Sequence, residues 1–213
     1  MINQELSIEG LINFRTDFQY LDKVLVMGTE VEPNNELIYE WIHKYNYLYG
    51  LYWWGHEQLR KIRFDDKLIG VKYHGKYNGR PVTKLPKELL EVMNKDKRIL
   101  LVHCGRYLEG DIKSNTSYLH ALQVARNYPN IKVILAHMGG TDTTVCMKAI
   151  EHGAKYHNVY FDTSGITSPY IIEYAIEHLP VTRILFGSDM PWCSFNAMVW
   201  TLADAMITRL EKD

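Results

Sequence analysis

Four apolar runs in this chain stop on a histidine or aspartate beside a glycine. They are Gly70-Val71-Lys72-Tyr73-His74-Gly75, Leu101-Val102-His103-Cys104-Gly105, Leu135-Ala136-His137-Met138-Gly139-Gly140 and Phe186-Gly187-Ser188-Asp189-Met190-Pro191. A buried β-strand that ends this way puts a metal-type ligand where the chain leaves the core. When several strands of one chain end alike, their ends converge on one place. The mouth of a (β/α) barrel is the architecture that brings parallel strand ends together, and it reads as an enzyme.

The rest of the chain agrees with that architecture. Strand-like runs lie at 23–27, 47–53, 68–73, 98–103, 132–137, 159–163 and 183–188. They are rich in Val, Ile, Leu and Tyr and mostly do not alternate, the pattern of parallel strands covered on both faces. Helix-like runs lie at 7–20, 35–45, 86–94, 115–127, 143–157, 169–178 and 195–212. Successive strand starts are about 20–35 residues apart, one βα unit each. Segments 76–85 and 106–114 carry turn residues and no element, and a barrel would place them as loops on its active face. Residues 1–5 are polar and too short for a buried strand, and a helix follows at once. The expected fold is therefore α/β, a TIM (β/α)8-type barrel that is incomplete or rearranged, with seven recognisable strands.

Size and composition narrow the function. The 213 residues suit one domain over 1–213. A net charge of −1 gives no pull toward nucleic acid or an anionic membrane. No apolar run reaches membrane-spanning length and the N-terminus has no signal pattern, so a cytoplasmic protein acting on a small molecule is expected. Cys104, Cys146 and Cys193 show no Cys-x-x-Cys spacing, which argues against a disulfide framework or a zinc knot. Cys104 and Cys193 lie beside the polar clusters, but small apolar packing is the preferred reading of both.

His103 and His137 occupy equivalent points at strand ends, where two neutral imidazoles could share one ion. Asp189 offers a hard oxygen for that metal, or a base for a water bound to it. As an alternative, Asp189 could cap the next helix, but Pro191 and Trp192 delay that helix. Lys72 and His74 share a strand face and could both point into the lumen. Lys72 could bind an anionic group or be carbamylated, or simply reach solvent. His74 ranks lower, as a substrate contact. Asp162, in Tyr160-Phe161-Asp162-Thr163-Ser164-Gly165, reads as a turn residue or as a partner that orients a ligand. Trp53 and Trp54 either wall a pocket or cover the core. Ser164 and Ser188 lack a Gly-x-Ser-x-Gly elbow, which disfavours a serine hydrolase.

Taken in order, Gly-Val-Lys-Tyr-His, Val-His-Cys-Gly, Val-Ile-Leu-Ala-His-Met-Gly-Gly, Val-Tyr-Phe-Asp-Thr-Ser and Arg-Ile-Leu-Phe-Gly-Ser-Asp-Met-Pro-Trp resemble the amidohydrolase-related family. The resemblance runs from about the first helix to the C-terminus. It implies a distorted (β/α)8 barrel with a divalent metal, usually zinc, at its C-terminal mouth. By position it makes His103 a metal ligand, His137 a metal ligand or the residue that positions water, and Asp189 a metal ligand and general base. The implied activity is hydrolysis of a small molecule by metal-activated water. Non-oxidative decarboxylation at the same site, or a degenerate barrel that has lost its metal, are the alternatives. Lys72, His74 and Arg106 are the candidate substrate contacts, Lys72 and Arg106 by their charge.

The chain departs from the family in one respect. The family's metal site also uses a His-x-His pair on the first strand, and this chain has no His-x-His and no histidine before His43. Three readings stay open. The natural protein starts upstream, the missing ligands are replaced by Lys72, His74 or another chain, or the metal chemistry is gone. Loss of a strand also leaves two sheet edges without partners, so either self-association or direct closure of those edges is expected.

Overall fold

The computed structural model describes residues 22–29, 34–55, 61–105 and 114–210. Its strands are β1 (Val24–Met27), β2 (Leu48–Trp53), β3 (Leu68–Tyr73), β4 (Ile99–Val102), β5 (Lys132–Leu135), β6 (Val159–Asp162) and β7 (Ile184–Leu185). They form one sheet in sequence order, and every neighbouring pair is parallel. The helices are α1 (Asn35–Lys44), α2 (Lys87–Lys95), α3 (Tyr118–Asn127), α4 (Thr143–Gly153), α5 (Pro169–His178) and α6 (Phe195–Leu210). The seven strands make a half-barrel with helices around it. The helix expected at 7–20 lies outside the described residues.

Local chemistry accounts for the helix ends. Asn34, Ser117 and Asp142 each accept a backbone N–H of the first turn of α1, α3 and α4, and Pro169 opens α5. Ser117 is why α3 begins at Tyr118, three residues later than its polar start suggests. The C-terminal end of α4 is met by Arg183, whose guanidinium donates to the carbonyls of Ala154 and Tyr156 at 3.3 and 2.6 Å. These bonds pin the turn that follows the helix to the segment leading into β7.

The two sheet faces carry different cores. Val71, Leu100, Val133 and Val159 stand in one cross-strand row, pointing outward to Leu89, Met93, Ala121, Ala149 and Ile150 of the helices. The lumen holds a separate small cluster of Leu51, Leu101, Ile134 and Ala136, with Leu25, Met27, Ile99, Tyr160 and Leu185 against it. One lumen row is Trp53, Lys72, Leu101, Ile134 and Tyr160. Two residues further along each strand, the same face presents His74, His103, Ala136, Asp162 and Leu185. Period-two geometry alone thus puts the polar cluster above an apolar plug.

Among the described residues the sheet does not close: β1 pairs only with β2 and β7 only with β6, and these two edge strands do not pair with each other. β7 is only two residues long, because Phe186-Gly187-Ser188 leaves the ladder earlier than its apolar character suggests. No described helix is long and apolar enough to cross a membrane.

Candidate active site

His103 follows the last residue of β4 and keeps the lumen-facing parity of Leu101. Its Nδ1 lies 3.1 Å from Nε2 of His137, and the two rings meet edge to face at 4.8 Å. His137 arrives differently. β5 ends at Leu135, and Ala136–Gly139 forms a tight turn with His137 at φ 58, ψ 41 and Met138 at φ 52, ψ 27. Two successive non-glycine residues in the left-handed region cost about 1–2 kcal/mol each. Hydrogen bonds hold the turn. The His137 amide donates to Asp162 Oδ1 at 3.0 Å, and the Gly140 amide donates to the His137 carbonyl at 2.9 Å.

The His137 ring is fixed at its other nitrogen. Nδ1 lies 2.8 Å from the Ser164 carbonyl oxygen and 3.0 Å from Ser164 Oγ. A carbonyl can only accept, so Nδ1 carries a proton, and in the neutral ring Nε2 is the lone pair that faces His103. Ser164 Oγ in turn donates to Asp162 Oδ1 in a short contact, and the Ser164 amide donates to the same oxygen at 3.0 Å. Asp162, expected as a turn residue or an orienting partner, closes its own turn through the Ser164 amide and also holds the His137 amide. Sequence reasoning missed Ser164, whose only local signal is the Asp-x-Ser-Gly ending of the sixth apolar run.

His74 stacks on His103 with ring centres 3.8 Å apart and planes 12° apart. Its Nδ1 is buried without a hydrogen-bond partner among the described residues. Burial, then the charges of Lys72, His137 and Lys76, push His74 down to about 3. Burial, then Lys72 and the neighbouring imidazoles, push His103 far below the usual histidine range. Both rings are therefore neutral at ordinary pH, the form that binds a metal or relays a proton. Lys72 is 9% exposed and sits in the lumen row between Trp53 and Leu101. It does not run out to solvent. Trp53 and His74 rings are 6.3 Å apart, so Trp53 walls the site, while Trp54 belongs to the outer core.

Asp189 lies on the far side of Gly165. A methyl group on Gly165 would sit 3.3 Å from His137 Nδ1 and 3.7 Å from Asp189 Oδ2. Asp189 is six residues ahead of α6 and does not cap it. Its carbonyl accepts the Cys193 amide at 3.0 Å. Arg106 lies outside the described residues. The cysteines are all free. Burial raises the thiols of Cys104 and Cys146, the latter to about 12, so neither is a ready nucleophile.

The histidine pair suits two donors to one ion. Bonds of about 2.0–2.1 Å meeting at a tetrahedral angle hold their nitrogens roughly 3.3 Å apart, close to the spacing seen here. A third donor does not join them: among the described residues no three His, Cys, Asp or Glu side chains converge as a metal cluster.

Comparison with known proteins agrees with this fold. The amidohydrolase family profile matches residues 13–212. No curated protein matches the chain in sequence. Solved structures do match in fold. An amidohydrolase from Burkholderia multivorans with bound zinc superposes with a TM-score of 0.70 at 14% identity, covering 95% of this chain and 81% of its own. The 2,6-dihydroxybenzoate decarboxylase from Rhizobium gives 0.68 at 16% identity, covering 92% and 81%. The 5-carboxyvanillate decarboxylase from Sphingomonas paucimobilis gives 0.66 at 14% identity, covering 93% and 77%.

Proposed function

Since this chain belongs to the amidohydrolase family, we propose that it is an enzyme of that family's hydrolytic type. It would act on a small molecule at the open end of the half-barrel, with a divalent metal, zinc by the character of the donors. The observation that carries this reading is the His103–His137 pair. Its nitrogens lie 3.1 Å apart at two parallel strand ends, with the far nitrogen of His137 tied to Ser164. Such a tie from the second nitrogen of an imidazole to a carbonyl is how metal-ligating histidines are oriented.

In this reading His103 and His137 hold the ion, and Asp189 is a further ligand or the general base. Zinc in such a site supplies Lewis acidity and an activated water near neutral pH. The chain's own side chains do the rest. Lys72, buried under His103 and His74, attracts an anionic group of the substrate into the lumen. Trp53 and His74 give that group a flat apolar wall. Arg106 is a second candidate contact for a carboxylate. His137, with Nδ1–H committed to Ser164, has only Nε2 to offer the ion.

Non-oxidative decarboxylation is a second reading. It is favoured by the buried cation Lys72, suited to a carboxylate, and by the activities named for two of the similar structures. The non-catalytic reading draws on the want of a third converging donor among the described residues.

Metal analysis and a substrate panel separate the three. Purified protein is expected to carry stoichiometric zinc that is lost in His103→Ala and His137→Ala. Turnover of lactones or amides supports the hydrolase, and carbon dioxide release from 2,6-dihydroxybenzoate or 5-carboxyvanillate supports the decarboxylase. Metal-free protein with no turnover and unchanged stability in both variants would defeat the enzymatic reading.

A further inference from the structure

We propose that Asp162 and Ser164 are positioning residues that lock His137 into a single tautomer, with the proton on Nδ1 and the Nε2 lone pair aimed at His103. The inference concerns the same histidine pair as the proposed function. It does not depend on whether that pair binds metal.

Donors and acceptors around Asp162 Oδ1 and His137 Nδ1 match only one arrangement of the His137 ring proton. Asp162 Oδ1 receives three hydrogens: the His137 amide at 3.0 Å, the Ser164 amide at 3.0 Å and the Ser164 hydroxyl. The hydroxyl has spent its only proton there, so toward His137 Nδ1, 3.0 Å away, it can only accept. The Ser164 carbonyl, 2.8 Å from the same nitrogen, can also only accept. Two acceptors on Nδ1 exclude the other neutral tautomer, which would face both with a lone pair. One carboxylate oxygen thus fixes the His137 backbone through its amide and the His137 ring through Ser164.

The surroundings leave the unit little freedom. Asp162, Ser164 and His137 are 8%, 6% and 5% exposed. A methyl on Gly187 would sit 3.0 Å from Ser164 Cβ, and one on Gly165 would sit 3.3 Å from His137 Nδ1. Gly165 itself holds φ +67, which a side chain would resist. The left-handed backbone of His137 is a conformation that local propensity opposes. The Asp162 bond to its amide is one of the few contacts that can hold it there. A purely structural turn after β6 would need the Asp162 bond to the Ser164 amide. It would not need a hydroxyl aligned on an imidazole that belongs to a different strand.

The test is the tautomer itself. In uniformly 15N-histidine-labelled protein, long-range 1H–15N correlation distinguishes a protonated ring nitrogen from a bare one. His137→Gln identifies the His137 signals. Wild-type protein is expected to show His137 in one form, protonated at Nδ1. Ser164→Ala keeps the carbonyl acceptor and loses the hydroxyl, and the Nδ1–H to Nε2–H ratio should fall about threefold to tenfold. Asp162→Ala removes the anchor of both and should mix the tautomers further. Asp162→Asn keeps an acceptor oxygen at Oδ1 and should restore most of the single form. If Asp162→Ala does not fold, Ser164→Ala and Asp162→Asn decide the matter.

A second readout links the unit to its neighbour. If wild-type protein binds added zinc, Ser164→Ala should weaken binding about 10–100-fold, as loss of an orienting partner does elsewhere. The same change in a His137→Ala background should then cost nothing more. A protein that binds no zinc would defeat the metal reading and leave the tautomer result to judge this one. Wild-type His137 protonated at Nε2, or a tautomer ratio unmoved in both Ser164→Ala and Asp162→Ala, would overturn the proposal.

Discussion

The side of the half-barrel built on β4, β5 and β6 differs sharply from the side built on β7 and α6. On the first, every strand is paired on both edges and Phe161, Leu100, Val133 and Leu135 have no exposed surface. His103, His137, Asp162 and Ser164 are joined there by a continuous run of hydrogen bonds. On the second, β7 is two residues long and has one paired edge among the described residues, and Phe186, Met190, Trp192 and Trp200 are 40%, 42%, 59% and 68% exposed. Asp189 stands on that second side. The difference teaches where the site is already organised. The histidines are held by the rigid half, while the aspartate hangs from the half whose apolar surface is least buried.

The largest expected effect follows directly. Phe161→Ala should cost about 3–5 kcal/mol of stability, since it empties a fully enclosed position between sheet and helices. Trp192→Ala, on the other side, should change stability by less than about 0.5 kcal/mol. Urea melts of the two variants check the contrast. Equal losses would mean that the two sides are equally well packed in solution.

Next come the two glycines at positive φ that isolate crowding from backbone strain. Gly79 has φ +64 and open space, so Gly79→Ala should cost about 1–2 kcal/mol from backbone conformation alone. Gly165→Ala carries the same strain and adds the close contact with His137 Nδ1. It should therefore cost more than Gly79→Ala and should also disturb the His137 tautomer. A Gly165→Ala protein as stable as Gly79→Ala, with His137 unmoved, would show that the rigid half has slack.

Acid stability gives a smaller effect, rooted in β3. Burial alone would raise the Asp65 carboxyl, but the Leu68 and Lys67 amides and the His43 ring outweigh it and hold the group below its usual range. The folded value lies below the unfolded value of about 3.9, so the stabilisation is complete above that pH and is lost as pH falls through the folded value. Asp65→Asn should lower stability at neutral pH and flatten the acid limb, so that variant and wild type converge well below about pH 4. An unchanged acid limb would remove Asp65 from the account. The smallest effect is expected at Trp200→Ser, within about 0.5 kcal/mol, because that ring lies mostly in solvent.

Much of this was legible in the sequence. Seven apolar runs become seven parallel strands, each within a few residues of its expected bounds, because buried parallel strands need continuous apolar character and little else. Lumen parity placed Lys72 and His74 correctly, since a strand's period of two is local information. What escaped was set across strands. The turn at His137 ends β5 two residues early because Asp162, 25 positions later, captures the His137 amide. Ser164 has no distinctive spacing, and its meaning comes from an imidazole 27 positions away. The brevity of β7 escaped as well, for Phe186 looks like a strand residue until its exposure is known. The aspartate's offset from the histidine pair has the same origin, in a chain that leaves the ladder just before Asp189.

The claim at the centre is that the His103–His137 pair is a ready ligand set for one ion. Crystals grown with saturating zinc and measured on both sides of the zinc absorption edge test it most directly. The account predicts one anomalous peak bonded to a ring nitrogen of each histidine, at about 2.0–2.1 Å. Zinc-saturated crystals with no peak there, and the two imidazoles still hydrogen-bonded to each other, would contradict it.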